Sequence, residues 1–128
     1  MKPGRPTIAL IEDELLLRVA TAKAIDDAGY NVISAASGVE GLSLLRDYAI
    51  DLAVIDIILP GRMDGLAMVS EAKLENPRLQ VIFTSGRVPE PPGAFAAFGP
   101  FLHKPYRHAE LLSAIMNLIG PAVVGSAD

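Results

Sequence analysis

Four short apolar runs in this chain each stop at a residue that could do chemistry. Residues 8–11 run into Glu12 and Asp13, 52–55 into Asp56, 80–83 into Thr84 and Ser85, and 101–103 into Lys104 and Pro105. If the runs are parallel strands, their C-terminal ends share one edge of a sheet, and open α/β sheets bind ligands at that edge. Three carboxylates, a hydroxyl and an ammonium would meet there. That combination suits metal-assisted phosphoryl transfer.

Magnesium takes oxygen ligands octahedrally, commonly one or two carboxylates with waters and a phosphate. Asp13 and Asp56 are the expected direct ligands, with Glu12 helping to hold the ion through water. Carboxylates crowded together raise one another's pKa unless a cation relieves them. Lys104 brings one positive charge and a divalent ion two more. An aspartate so placed can act as a nucleophile and form an aspartyl phosphate. Asp56 is the better candidate, because it stands alone at the end of the middle apolar strand. Metal, Lys104 ammonium and Thr84 hydroxyl could then each serve one equatorial phosphoryl oxygen.

Taken singly, each residue has a duller reading. A Glu-Asp pair is often a helix N-terminus with a favourable dipole interaction, an aspartate or a Thr-Ser-Gly stretch a turn, and a lysine a solvated surface charge. The force lies in all four groups arriving at strand ends in this order. His103 and His108 keep no metal-ligand company and read as structural or exposed.

Bringing these residues together requires strands alternating with helices. Residues 1–6, with two prolines and a glycine, read as a loose tail. Leu15, Val19, Ala22 and Ile25 recur at spacings of three and four, predicting a helix with one apolar face that stops near Gly29. A strand over 31–36 follows. Ser37 to Glu40 has the S-x-x-E form of a capping box, opening a helix whose inner face is Leu42, Leu45 and Ala49. Residues 51–57 are apolar almost throughout between their acids, as a strand covered on both faces should be.

Asp64 is the expected N-cap of a helix running to about Glu75, which Asn76-Pro77 ends. A strand over 79–84 comes next. Pro89, Pro91 and Pro92 forbid a long helix after it and leave at most one or two turns around 94–98. The short strand over 101–103 belongs at a sheet edge, because Pro100 beside it cannot donate into a central ladder. A last helix carries Leu111, Leu112, Ile115, Leu118 and Ile119 on one side and ends at Gly120-Pro121; residues 121–128 read as a frayed tail. Such β-α units cross over right-handedly and put helices on both faces of a parallel sheet.

Composition sets limits on partners and compartment. A chain of 128 residues that is 51% hydrophobic fits one domain with a core of its own. Cysteine is absent, which removes disulfides, zinc-thiolate sites and a thiol nucleophile. Net charge is −4 with scattered lysines and arginines, so direct nucleic-acid binding is not expected. No apolar stretch approaches the roughly 20 residues of a membrane span, and the N-terminus has no signal-peptide pattern. A cytoplasmic domain is the expectation.

Residues 8–14 (IALIEDE), 51–66 (DLAVIDIILPGRMDGL), 81–86 (VIFTSG) and 101–106 (FLHKPY) together resemble the receiver domain of two-component response regulators. The resemblance covers residues 7–120, with 1–6 and 121–128 outside it as tails. It implies an α/β flavodoxin-like (βα)5 fold, doubly wound, with strand order 2-1-3-4-5. It also implies a phosphoacceptor at Asp56 and a Mg²⁺ site built from Glu12, Asp13, Asp56 and the backbone carbonyl of Ile58. Thr84 becomes a switch hydroxyl, Phe101 a switch aromatic, and Lys104 the conserved-type lysine, commonly followed by a cis proline, here Pro105.

Departures from the family pattern are informative. The first acid is Glu12 rather than the commoner aspartate, a variant that should keep metal binding. The 59–65 loop, LPGRMDG, is one residue longer than usual, resembling receivers attached to or working beside hybrid histidine kinases. Phe101 lacks a tyrosine's hydroxyl. The proline-rich 88–93 segment replaces much of a fourth helix, leaving it short or irregular.

The expected function is therefore phosphoryl acceptance from a phosphohistidine on a sensor or hybrid histidine kinase, or on a histidine phosphotransfer protein. Output would go to a downstream protein or onward by phosphotransfer, with a homodimer left open. The chain would catalyse only its own phosphorylation and dephosphorylation and would not be a conventional enzyme. A module of the same fold that binds proteins without phosphorylation is the alternative, against which the intact acid set and Lys104 count. A small aspartyl-phosphate phosphohydrolase fits worse, because the position two residues after Asp56 is Ile58 rather than a second acid.

Overall fold

The computed structural model describes residues 1–86 and 93–122. Strands β1 (Thr7–Ile11), β2 (Asn31–Ala35), β3 (Leu52–Asp56), β4 (Gln80–Ser85) and β5 (Phe101–His103) alternate with helices α1 (Leu15–Asp27), α2 (Gly38–Asp47), α3 (Gly65–Glu75), α4 (Gly93–Ala96) and α5 (His108–Ile119). Every neighbouring pair of strands is parallel, in the order β2-β1-β3-β4-β5. This is the doubly wound flavodoxin-like sheet expected from the sequence.

Alternation along the central strands explains the two layers. Ile8 and Leu10 of β1, with Leu52 and Val54 of β3, pack against Ile25 of α1 and Leu111 and Ile115 of α5. Ala9, Ile11, Ala53 and Ile55 point the other way, against Leu42 of α2, Met68 and Val69 of α3 and Phe95 of α4. Both faces of the middle strands are thus dry, which requires the unbroken hydrophobicity seen there. The Phe95 ring meets Phe83 edge-to-face at 4.9 Å, so even a one-turn α4 covers its part of the sheet. Pro89, Pro91 and Pro92 lie outside the described residues; the expected short fourth helix is seen at their far end as the four residues of α4.

Local signals set most boundaries. Ser37 accepts a hydrogen bond from the Glu40 N–H at 3.2 Å, and Glu40 reaches back to the Ala36 N–H, also at 3.2 Å. Asp64 accepts from the Ala67 N–H at 2.9 Å and opens α3. Gly65 is required immediately after it: a β-carbon there would lie 2.6 Å from the Asp56 carbonyl oxygen. The start of α3 therefore packs directly behind the end of β3.

Three expectations are corrected. Leu15 and Val19, assigned to the buried face of α1, are 60% and 59% exposed, while Thr21 and Ile25 are buried. Spacing alone could not tell which of two overlapping stripes faces inward, and a threonine on the true inner stripe hid it. Ala49, assigned to the inner face of α2, lies past the end of that helix and is exposed. Residues 1–6 are tied down by Asn31: its amide accepts from the Lys2 N–H at 2.9 Å and donates to the carbonyls of Lys2 and Arg5 at 2.8 and 3.2 Å.

Candidate functional site

The C-terminal ends of β1, β3, β4 and the residue after β5 converge on a cleft of about 480 Å³ lined by Glu12, Asp13, Asp56, Ile58, Ser85 and Lys104, among others. One oxygen each from Glu12, Asp13 and Asp56 lies within 4.8 Å of the others. The Lys104 ammonium bridges two of them, 2.6 Å from Glu12 Oε1 and 2.7 Å from Asp56 Oδ2. Side-chain exposure is 18% for Lys104, 3% for Glu12 and 8% for Asp56, so these charges interact with little screening. Asp13 sits at the rim, exposed.

Each group is aimed by backbone hydrogen bonds. The Glu14 N–H donates to Glu12 Oε2 at 3.0 Å, and Arg18 Nη1 donates to the Glu12 carbonyl at 2.8 Å. The Ile58 N–H donates to Asp56 Oδ1 at 3.0 Å, and the Lys104 N–H to the Ser85 carbonyl at 3.0 Å. Both oxygens of Glu12 and both of Asp56 are therefore engaged.

Burial pushes the Glu12 carboxyl above its ordinary value, and the Lys104 hydrogen bond offsets only part of that. Burial alone would lower the Lys104 ammonium, but its bonds to Asp56 and Glu12 outweigh it and hold the group above the usual lysine value. The Glu12, Asp13 and Asp56 carboxylates and the Lys104 ammonium together carry a formal charge of −2, which a divalent cation would neutralise.

Thr84 pairs in register with Asp56 but is buried under the cleft floor, while Ser85 and Gly86 form the β4 wall. Phe101 is half-buried at the sheet edge, against the core on the α2–α3 side, with its ring edge-to-face on exposed His103 at 4.6 Å. The Lys104-Pro105 bond is cis. From the sequence Ser85 was named beside Thr84 but given no role, and the Ile58 N–H was not singled out. Ser85 had a signal, a second hydroxyl beside Thr84, whereas a backbone N–H leaves none in residue type.

A family model described as the response regulator receiver domain matches residues 8–116. The chain belongs to the receiver domain family. This receiver is 33% identical over 122 residues to the sensor kinase CckA of Brucella abortus, covering 91% of the chain and 13% of the kinase. It is 32% identical over 117 residues to the aerobic respiration control protein ArcA of Escherichia coli K12, covering 89% of the chain and 48% of ArcA. The chain thus spans half or less of these relatives. A crystal structure of the receiver domain of the hybrid histidine kinase CckA superposes with TM-score 0.76 at 29% identity, covering 88% of this chain and 98% of that one. Receivers serve two-component signalling, and accepting a phosphoryl group is their general function. Among the described residues, no helix is long and apolar enough to cross a membrane.

Proposed function

We propose that this receiver takes a phosphoryl group onto Asp56 from the phosphohistidine of a histidine kinase or phosphotransfer protein, in the cytoplasm, and passes the signal on by protein contact or onward transfer. The observation that carries the reading is the Lys104 ammonium seated between Glu12 and Asp56 at 2.6 and 2.7 Å, beside the exposed Asp13 carboxylate. An Asp56 oxygen would attack phosphorus as the P–N bond to imidazole breaks, and the imidazole leaves with a proton. Water later attacks the acyl phosphate, restoring the carboxylate and releasing inorganic phosphate.

Asp13 and Asp56, the Ile58 carbonyl, and Glu12 through water would hold Mg²⁺. When bound, the ion supplies positive charge to the phosphoryl oxygens. An ammonium has three N–H donors. Two are used on Glu12 and Asp56, which leaves one for a phosphoryl oxygen. Thr84, buried beside Asp56, would reach another oxygen only by turning toward the cleft, and Phe101 would take up the space it vacates. That coupling is a shift between two populations. The chain acts on itself alone and is not a conventional enzyme.

Incubation with acetyl phosphate and Mg²⁺ should add the mass of one phosphoryl group to the intact protein, and a chelator should prevent it. No gain under either condition would remove the reading. The rim carboxylate offers a separate check. Asp13 accepts no side-chain hydrogen bond among the described residues, so Asp13→Asn removes charge without breaking a contact. Its melting temperature without metal should rise by a few degrees, as like-charge repulsion falls. The stabilisation that Mg²⁺ confers on the wild type by binding the folded site should disappear. An undiminished Mg²⁺ effect in the variant would take Asp13 out of the ligand set.

A further inference from the structure

We infer that Thr21 and Tyr106 form a brace between helix α1 and the loop after β5, and that this brace holds the Lys104 ammonium where it meets both carboxylates. The inference rests on the proposed role of Lys104 at Asp56 and adds two positioning residues that touch no phosphoryl group.

Thr21 is wholly buried, on the one stripe of α1 that faces the molecule. A hydroxyl shut away from water needs a hydrogen-bond partner. Thr21 Oγ1 lies 3.3 Å from the Tyr106 hydroxyl and 3.5 Å from His108 Nε2. An isolated core threonine would need only a carbonyl of its own helix. Here both partners come from the other end of the chain, and Tyr106 is half-buried against the core beneath α1 and α5.

The placement of those partners gives the contact its meaning. Helix α1 starts directly after Glu12 and Asp13, with only Glu14 between, and Tyr106 follows Lys104 with only Pro105 between. The Thr21–Tyr106 bond therefore ties the helix that follows the acids to the loop that follows the lysine. On its other flank the Lys104 N–H is held by the Ser85 carbonyl of β4 at 3.0 Å. A lysine has a flexible four-carbon stem, so a 2.6 Å and a 2.7 Å contact at its tip require a backbone gripped on both sides. Proline between Lys104 and Tyr106 transmits the grip, since its φ is restricted.

The test uses the full chain and the variants Thr21→Val, Thr21→Ser and Tyr106→Phe, with acetyl phosphate as donor. Two quantities are read besides Mg²⁺ affinity. One is the rate of phosphoryl uptake. The other is the ¹⁵N NMR signal of the Lys104 ammonium, which persists only while hydrogen bonds slow its exchange with water. Thr21→Val and Tyr106→Phe should slow uptake about tenfold, as a misplaced catalytic group does, and weaken the ammonium signal. Thr21→Ser, which keeps the hydroxyl, should restore both, and Mg²⁺ affinity should stay unchanged in all three.

Wild-type rates and an intact signal in the valine and phenylalanine variants would overturn the brace. So would a serine variant as slow as the valine one, or Mg²⁺ affinity falling in step with the rate. Should Thr21→Val not fold, Tyr106→Phe decides, because it deletes a single oxygen from the loop. Failure of the wild type to take up phosphate would refute the proposed function instead, and the ammonium signal would still decide the brace.

Discussion

Asp56→Asn is expected to gain no phosphoryl mass from acetyl phosphate, with or without Mg²⁺. A carboxylate oxygen can attack phosphorus and carry the resulting acyl phosphate; a neutral amide at the same place does neither. The substitution keeps the side chain's shape yet is not silent. Asp56 Oδ2 accepts from Lys104 and Oδ1 from the Ile58 N–H. Asparagine has one acceptor and one NH₂ group, so in either orientation it faces one of those donors with another. Losing a hydrogen bond to a charged group costs about 1.5–3 kcal/mol. Removing one of three carboxylates whose oxygens lie within 4.8 Å relieves repulsion of similar order. The melting temperature should therefore move by only a few degrees, and loss of phosphorylation would not reflect unfolding. Mg²⁺ affinity should fall about tenfold or more, roughly 1.4 kcal/mol. A mass gain that persists in the variant would place the acceptor elsewhere.

The strands and the site they carry were legible in the sequence because each strand is a dry apolar run ended by a polar residue. The bridging of Glu12 and Asp56 by Lys104 follows from that pattern once the strands are parallel and ordered 2-1-3-4-5. Helix faces were harder to read. In α1 the residues Leu15, Leu16, Val19, Ala22 and Ile25 form overlapping apolar stripes, and the inward one was settled by Thr21, whose hydroxyl finds partners some 85 residues away in sequence. No local window contains that information. The N-terminal strap is similar: glycine and prolines signal irregular backbone, but whether it is loose depends on Asn31, a residue of another strand. Hydroxyl geometry was legible only in part. Thr84 and Ser85 are adjacent, and strand alternation must send them to different surroundings, one under the cleft and one onto its wall.

The Lys104→Ala variant should separate stability from chemistry. Without the ammonium, Glu12 and Asp56 face each other almost buried, and Asp13 adds a third charge at the rim. Removing one partner from a buried pair costs about 3 kcal/mol at the low end of such effects, and the open cleft favours that end. Metal-free Lys104→Ala should therefore melt about 10 °C below the wild type at neutral pH. Added Mg²⁺ should close most of that gap, because the ion replaces the missing charge and its own affinity has lost no ligand. Acid should help as well. The Glu12 carboxyl is already raised above 4.5 in the folded protein, chiefly by burial, and loses its Lys104 offset in the variant. A carboxyl whose folded pKa is raised stabilises the fold fully below its unfolded value, and that contribution disappears as pH rises through the folded one. The deficit of the variant should thus shrink as pH falls from neutral toward the raised Glu12 value. Phosphoryl uptake should follow neither rescue. With Mg²⁺ saturating and the fold restored, the rate should remain about 10²-fold below wild type, the usual cost of deleting one charged donor to the transition state. Backbone amide shifts on phosphorylation, which report the switch, should also be largely lost. Mg²⁺ rescue of melting temperature together with wild-type uptake would reduce Lys104 to a counter-charge and end its proposed catalytic role.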